Sequence, residues 1–249
     1  GNQTGCDRIC CVRCDWDNLE IEHLTMKEIF LASKSPRRQQ LLRAMLDSFL
    51  VIDSEVDEIQ KPGERCEKFT LRLAEEKAFS ARDKLRRNAV QEALIVAADT
   101  IVVDQGEVLG KPLDAEDAYR ILTRLRGKTH QVMSGIALLV LDPEQIFSRV
   151  VKTEVKMRDY SEVEIRHYID SGDPFDKAGA YGIQNPSFNP APDFTGCYAN
   201  VMGLPLCHLS LLMKSAHCRE GNSVAERCQK SIHYQCPVHR EILAGGGAL

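Results

Sequence analysis

A chain of 249 residues, 43% hydrophobic and 27% charged, is long enough for a sizeable core and has the composition of a globular protein. Its formal net charge of −4 speaks against binding nucleic-acid polymers and leaves room only for a local basic pocket. No apolar run approaches the roughly 18 residues of a membrane helix, and the polar N-terminus lacks the apolar stretch of a secretory signal, so no membrane association is expected and the expected compartment is the cytoplasm.

Residues 1–26 show neither helical nor strand periodicity and read as an extension carrying Cys6, Cys10, Cys11 and Cys14. Three more of the ten cysteines, Cys218, Cys228 and Cys236, lie near the other end, in residues 217–249, which read as a tail. A disulfide framework belongs to small secreted domains and fits poorly here. Cys11-x-x-Cys14 and Cys236-x-x-His239 have zinc-ligand spacing; the plainer reading is a pair of flexible extensions with free thiols.

The ordered chain between them, 27–216, opens on a short apolar strand, Glu28 to Ala32, which runs into Ser33-Lys-Ser35. Ser35 is a good N-cap and Pro36 suits the first helical position, so a helix follows, with Leu41, Leu42, Met45 and Leu46 as its buried stripe. The turn sets the Ser33 and Ser35 hydroxyls, free backbone N–H groups, Arg37 and Arg38 at one helix N-terminus, which suits an anion and phosphate above all. Phe49 to Ile52 is a second strand, leading into an acidic loop that holds Glu58 and ends at Pro62.

A helix is expected from about Glu64 to Leu85. Phe69, Leu73 and Lys77 share one face, so Lys77 either snorkels outward or is aimed into a site, and spacing alone favours snorkelling. Leu94 to Val103 is apolar on both faces and reads as a central strand, interrupted by Asp99. A carboxylate there must be paired, hydrogen-bonded or metal-bound. A turn at Asp104-Gln-Gly-Glu107 returns the chain to Gly110-Lys111-Pro112. Asp114 caps a helix ended by Gly127, and two long strands, His130–Leu141 and Phe147–Met157, form a hairpin in which His130 reads as structural. Ser161-x-x-Glu164 opens a helix that stops at Gly172 and Pro174. Glycines and Lys177 in Asp176–Gln184 allow close approach to a charged ligand. Tyr198 to Met202 reads as a strand and Pro205 to about Ala216 as the last core helix.

Cations at Arg38, Lys77, Lys111 and Lys177 with acids at Glu58 and Asp99 suit a polyphosphate whose oxygens are bridged by a carboxylate-held divalent metal. A carboxylate would also activate water. Neither a Walker loop nor a dinucleotide fingerprint is present.

Leu31-Ala-Ser-Lys-Ser-Pro-Arg-Arg38, Ala98-Asp-Thr-Ile-Val102, Gly110-Lys-Pro112, Thr129-His-Gln-Val132, Asp176-Lys-Ala-Gly-Ala-Tyr-Gly-Ile-Gln184 and Tyr198-Ala-Asn-Val-Met-Gly-Leu-Pro205 occur in the order seen in the Maf family, which residues 27–214 resemble. The resemblance implies an α/β fold with a long mixed sheet flanked by helices, two lobes with a central cleft, and often a homodimer. It implies nucleoside triphosphate hydrolysis between the α- and β-phosphates with Mg²⁺ or Mn²⁺. Ser33 and Arg38 match phosphate-binding positions, Glu58, Lys77, Asp99 and Lys111 the polar set of the family's active site, and Lys177 its later lysine. Asp99 is the expected base and Glu58 a metal ligand, although these two roles could be exchanged and both are candidate ligands. Arg37, Thr100 and Gln184 resemble the branch acting on dTTP and UTP; the glutamine amide, donor and acceptor at once, complements a pyrimidine imide edge. A regulator without catalysis and a 7-methyl-GTP enzyme are the alternatives. Asn185-Pro-Ser-Phe-Asn-Pro-Ala-Pro192 departs from the glycine-rich stretch usual after the final glutamine.

Overall fold

The computed structural model describes residues 28–218 and 223–245; the cysteine-rich stretch at 1–26, with Cys11-x-x-Cys14, lies outside them. The architecture is α/β: a six-stranded mixed sheet with helices on both faces. Strands β1 (Glu28–Leu31), β2 (Leu50–Val51), β3 (Ala93–Asp104), β4 (Glu107–Leu109), β5 (Thr129–Leu141) and β6 (Glu144–Lys156) are ordered β2-β1-β3-β5-β6, with β4 paired to β3. The first two neighbours in that order pair in parallel, while β3–β4, β3–β5 and β5–β6 are antiparallel.

Strand alternation divides the core. Ile95, Ala97, Ile101 and Val103 of β3 face helix α2 (Cys66–Arg87), meeting Phe69, Leu73, Ala74, Ala78 and Ala81. Leu94, Val96, Ala98 and Val102 face the other way. There they meet α1 (Pro36–Met45), α3 (Ala115–Leu125), α4 (Glu162–Asp170) and α6 (Leu206–Ser215). Ser35, Asp114 and Ser161 each cap their helix, the last in a complete capping box with Glu164.

One packing detail sets the position of α2. Gly135 of β5 is the register partner of Asp99, and a Cβ there would stand 2.3 Å from the Thr70 carbonyl oxygen. The bare backbone admits α2 to the sheet, where Thr70 Oγ1 accepts from Gly135 N–H at 3.2 Å and donates to the Asp99 carbonyl at 3.2 Å. Two helical turns later stands Lys77.

Two expectations fail locally. Tyr198 to Met202 is not a strand but contains a short helix, α5 (Tyr198–Val201). Asn200 explains the change: its buried amide donates to the Val132 and Val151 carbonyls and to Thr153 Oγ1, anchoring a helical turn across the β5–β6 hairpin. The segment read as a tail contains α7 (Val224–Ile232) and α8 (His239–Leu243). Val224 and Cys228 join the main core, and Ala225 and Ile242 pack with Cys207. After Gln184, Phe188 fixes the departing loop by stacking on Tyr168, ring centroids 4.1 Å apart.

Candidate active site

The site forms where β3 loses a neighbour. On one edge β3 pairs with β1 only through Val96 and with β4 only from Val102 onward, so the backbone around Asp99 borders an opening. Chain leaving β1 crosses that opening as Ala32 to Ser35 before α1 begins. A cavity of about 420 Å³ lies there, and all ten residues singled out in the sequence line it: Ser33, Arg37, Arg38, Glu58, Lys77, Asp99, Thr100, Lys111, Lys177 and Gln184. Six cationic and four carboxylate side chains face this space, a positive balance in a chain of negative net charge.

On the α2 side Asp99 points at the helix because it shares the parity of Ala97 and Ile101. Lys77 Nζ donates to Asp99 Oδ1 at 2.6 Å and to Glu58 Oε1 at 2.7 Å. Lys77 is buried, with 8% of its surface exposed, so it does not snorkel: a buried carboxylate within reach makes the inward rotamer the better one. Burial opposes ionisation of Glu58, but the Lys77 hydrogen bond and charge, aided by Lys111 and Arg38, outweigh it and hold that carboxyl below its ordinary value.

Thr100, of opposite parity, projects to the other face. Arg38 reaches it from the first turn of α1, Nη2 donating to Thr100 Oγ1 at 3.1 Å, Nη1 to Ser33 Oγ at 3.3 Å and Nε to the Gly203 carbonyl at 3.0 Å. Thr100 in turn shares a hydrogen bond with Ser134, whose hydroxyl donates to the Asn200 carbonyl. Burial lowers the guanidinium pKa, and nearby Asp99 partly restores it. Every donor edge of Arg38 is thereby oriented before any ligand arrives.

Lys111 and Lys177 arrive on two loops stitched together where Gly179 N–H donates to the Gly110 carbonyl. Gly179 has φ +72°, and a Cβ there would come within 2.7 Å of Val102. Lys111 is exposed. Lys177 is buried, and Nζ donates to the Asp173 carbonyl, Asp173 Oδ1 and Asp176 Oδ1, at 2.6, 2.9 and 2.6 Å. Its three donors are committed to the loop's own acceptors, so it shapes the wall as well as charging it. Arg37 faces Asp176 at 3.5 Å.

Sequence reading missed several partners: Lys34 with Asp53 at 2.7 Å, Asp173 and Asp176 around Lys177, and the Ser134–Asn200 support behind Thr100. Of these, Lys34, Asp176 and Asn200 stand inside motifs, and neither spacing nor periodicity marks a second partner. His130 is structural, as expected: it is buried against Tyr181, Nε2 to the hydroxyl at 2.8 Å, and burial depresses its pKa to about 4.

The donor set fits a hard divalent cation. Glu58 and Asp99 converge on one ammonium, each with a second carboxylate oxygen, and Mg²⁺ binds through one or two carboxylates plus substrate phosphates. As the side chains stand, no three potential ligands among the described residues are grouped to hold a metal, so a cation in the cleft would depend on substrate oxygens as well.

The Maf-like protein model matches residues 28–216. A Dehalococcoides mccartyi protein named dTTP/UTP pyrophosphatase is 44% identical over 195 residues, covering 78% of this chain and 85% of that protein. Proteins of the same name from Dictyoglomus thermophilum and Clostridium botulinum are 43% and 42% identical, covering 75% and 76% of this chain and 95% and 97% of theirs. The ordered motifs, the mixed sheet and these similarities agree: the chain belongs to the Maf family.

Proposed function

We propose that the chain hydrolyses dTTP and UTP, with modified pyrimidine forms, to the monophosphate and pyrophosphate, clearing unwanted nucleotides in the cytoplasm. The observation that carries this reading is the Glu58–Lys77–Asp99 cluster set in a cleft rimmed by Arg37, Arg38 and Lys111. Relatives at 42–44% identity with the matching name support it.

In this reading the serines, the α1 N-terminus and Arg38 bind the phosphates. Asp99 accepts a proton from water as its oxygen bonds to the α-phosphorus and the bridging P–O bond breaks, releasing pyrophosphate. Lys77 holds Asp99 and Glu58 in place. Mg²⁺ or Mn²⁺, held by Glu58 and Asp99 when bound, supplies charge neutralisation on the phosphates. Gln184, exposed at the cleft wall, reads the pyrimidine imide edge through its amide. A homodimer belongs to the same reading; strand β2 ends the sheet with Leu50 and Val51 exposed.

Pyrophosphate release with Mg²⁺ across UTP, dTTP, CTP, GTP, ATP and 7-methyl-GTP tests this. Fast release from UTP and dTTP is expected. Preference for 7-methyl-GTP would overturn the role of Gln184, and no release from any nucleotide by folded protein would overturn the activity.

A further inference from the structure

Four of the six cysteines among the described residues meet at one place outside the catalytic cleft. Cys197 precedes α5, Cys207 lies in α6, Cys228 in α7, and Cys236 between α7 and α8; all four line one small cavity, together with His239. Cys197, Cys207 and Cys228 are buried, all four are free thiols, and each sits within electrostatic reach of the other three. Burial pushes the Cys207 thiol up to about 11 and Cys228 to about 12, so each needs a nearby cation to ionise.

Buried thiols by themselves are ordinary small apolar groups. Two further observations go beyond that. The His239 ring is fixed by Nδ1 against the Cys236 carbonyl at 2.7 Å, which leaves Nε2 as its remaining polar atom on a residue that borders the cavity. Imidazoles at metal centres are commonly oriented through such a backbone carbonyl. The space itself is about 10 Å³, the room of one water-sized sphere. That suits a single ion and is too small for a polynuclear cluster.

We propose that Cys197, Cys207, Cys228 and Cys236 form a thiolate site for one soft divalent cation of the zinc class, with His239 beside it. Cys197 and Cys207 fall inside the residues matched by the family model, and Cys228 and Cys236 fall beyond them. The ion thus fastens the appended helices to the catalytic domain. Helix α7 in turn braces α1 through Gln40 Nε2 to the Ser231 carbonyl at 3.3 Å, and Arg227 holds Asp47, just beyond the end of α1, at 3.0 Å. Binding exchanges four S–H bonds for four S–metal bonds and releases four protons to solvent. As the side chains stand, no three potential ligands among the described residues are grouped to hold an ion. Binding therefore requires rotamer changes, and one staggered step of a cysteine carries its sulfur about 3 Å.

The test uses the full chain with Cys6, Cys10, Cys11 and Cys14 changed to serine in every sample, so that bound metal reports on this cluster alone. Zinc content is measured by elemental analysis. Cobalt is then substituted, because a sulfur-to-cobalt charge-transfer band arises from thiolate ligands and not from the carboxylates of the cleft. One equivalent of zinc, a charge-transfer band, and loss of both in Cys228→Ser and in the less buried Cys236→Ser are expected. Chelation should also lower the melting temperature of the parent and leave that of Cys236→Ser unchanged. No band with folded protein, a band that survives both substitutions, or iron with acid-labile sulfide on these thiols would overturn the proposal.

Discussion

Replacing Gly135 with alanine is the sharpest structural test of how the site is assembled. The added Cβ would lie 2.3 Å from the Thr70 carbonyl oxygen, 2.7 Å from its carbon and 3.0 Å from Leu71 Cα. All three are backbone atoms of α2, so no side chain can swing away and the helix must retreat by about 1 Å to reach ordinary contact. Overpacking of this kind costs about 1–3 kcal/mol. Weakening the two Thr70 hydroxyl bonds adds about 1 kcal/mol. A total of about 3 kcal/mol corresponds to a melting temperature roughly 10 °C lower in a chain of this size. The same retreat draws Lys77 off Asp99, so pyrophosphate release should fall together with stability. Gly110→Ala is the control, since nothing lies within 4 Å of a Cβ there, and its stability should stay within about 0.5 kcal/mol of the parent. Urea unfolding and turnover are measured on both variants. A Gly135→Ala protein of parental stability would refute the packing argument, and a destabilised one with parental turnover would detach Lys77 placement from it.

Arg38→Lys keeps the charge but cannot reproduce the three-way fork to Gly203, Ser33 and Thr100. KM for UTP should rise about 10-fold or more through the loss of at least one charge-assisted bond, and an unchanged KM would show that the fork is dispensable. His130 and His208 are both buried with pKa values depressed to about 4, below the 6.5 of an exposed imidazole. Between these values the unfolded chain binds more protons, so stability is fully present above about pH 6.5 and falls as the pH drops toward 4. At pH 5 each histidine costs about 2 kcal/mol, and a urea midpoint that did not move between pH 7 and pH 5 would contradict this.

Much of the site could be read from the chain because its chemistry breaks local rules. Asp99 interrupts an apolar central strand, and such a carboxylate demands a partner; Ser35-Pro36 announces a helix whose N-terminus carries two arginines. Lys77 shows the boundary of that approach. Its spacing places it on an apolar face but says nothing of what lies across from it, and only the close seat of α2 on Gly135 brings Asp99 within 2.6 Å. Helix α5 was missed because a single buried amide, Asn200, decides the conformation of a five-residue apolar run through three tertiary bonds. Helix α7 does carry a signal in the sequence: Val224, Cys228 and Ile232 recur at helical spacing once cysteine is counted as apolar. The two acids that tie down Lys177 and the hydroxyl behind Thr100 belong to tertiary geometry and leave no periodic trace.

The most direct test of the central claim is pyrophosphate release from UTP by Asp99→Asn, with nucleotide binding measured on the same protein. Asparagine keeps the shape and one acceptor oxygen for Lys77, and Glu58 remains as the second partner of that ammonium. The account predicts UTP binding within a few-fold of the parent and turnover lower by about 10²–10⁴-fold, the range for loss of a general base. Turnover at the parental rate would remove Asp99 from the chemical step and contradict the mechanism.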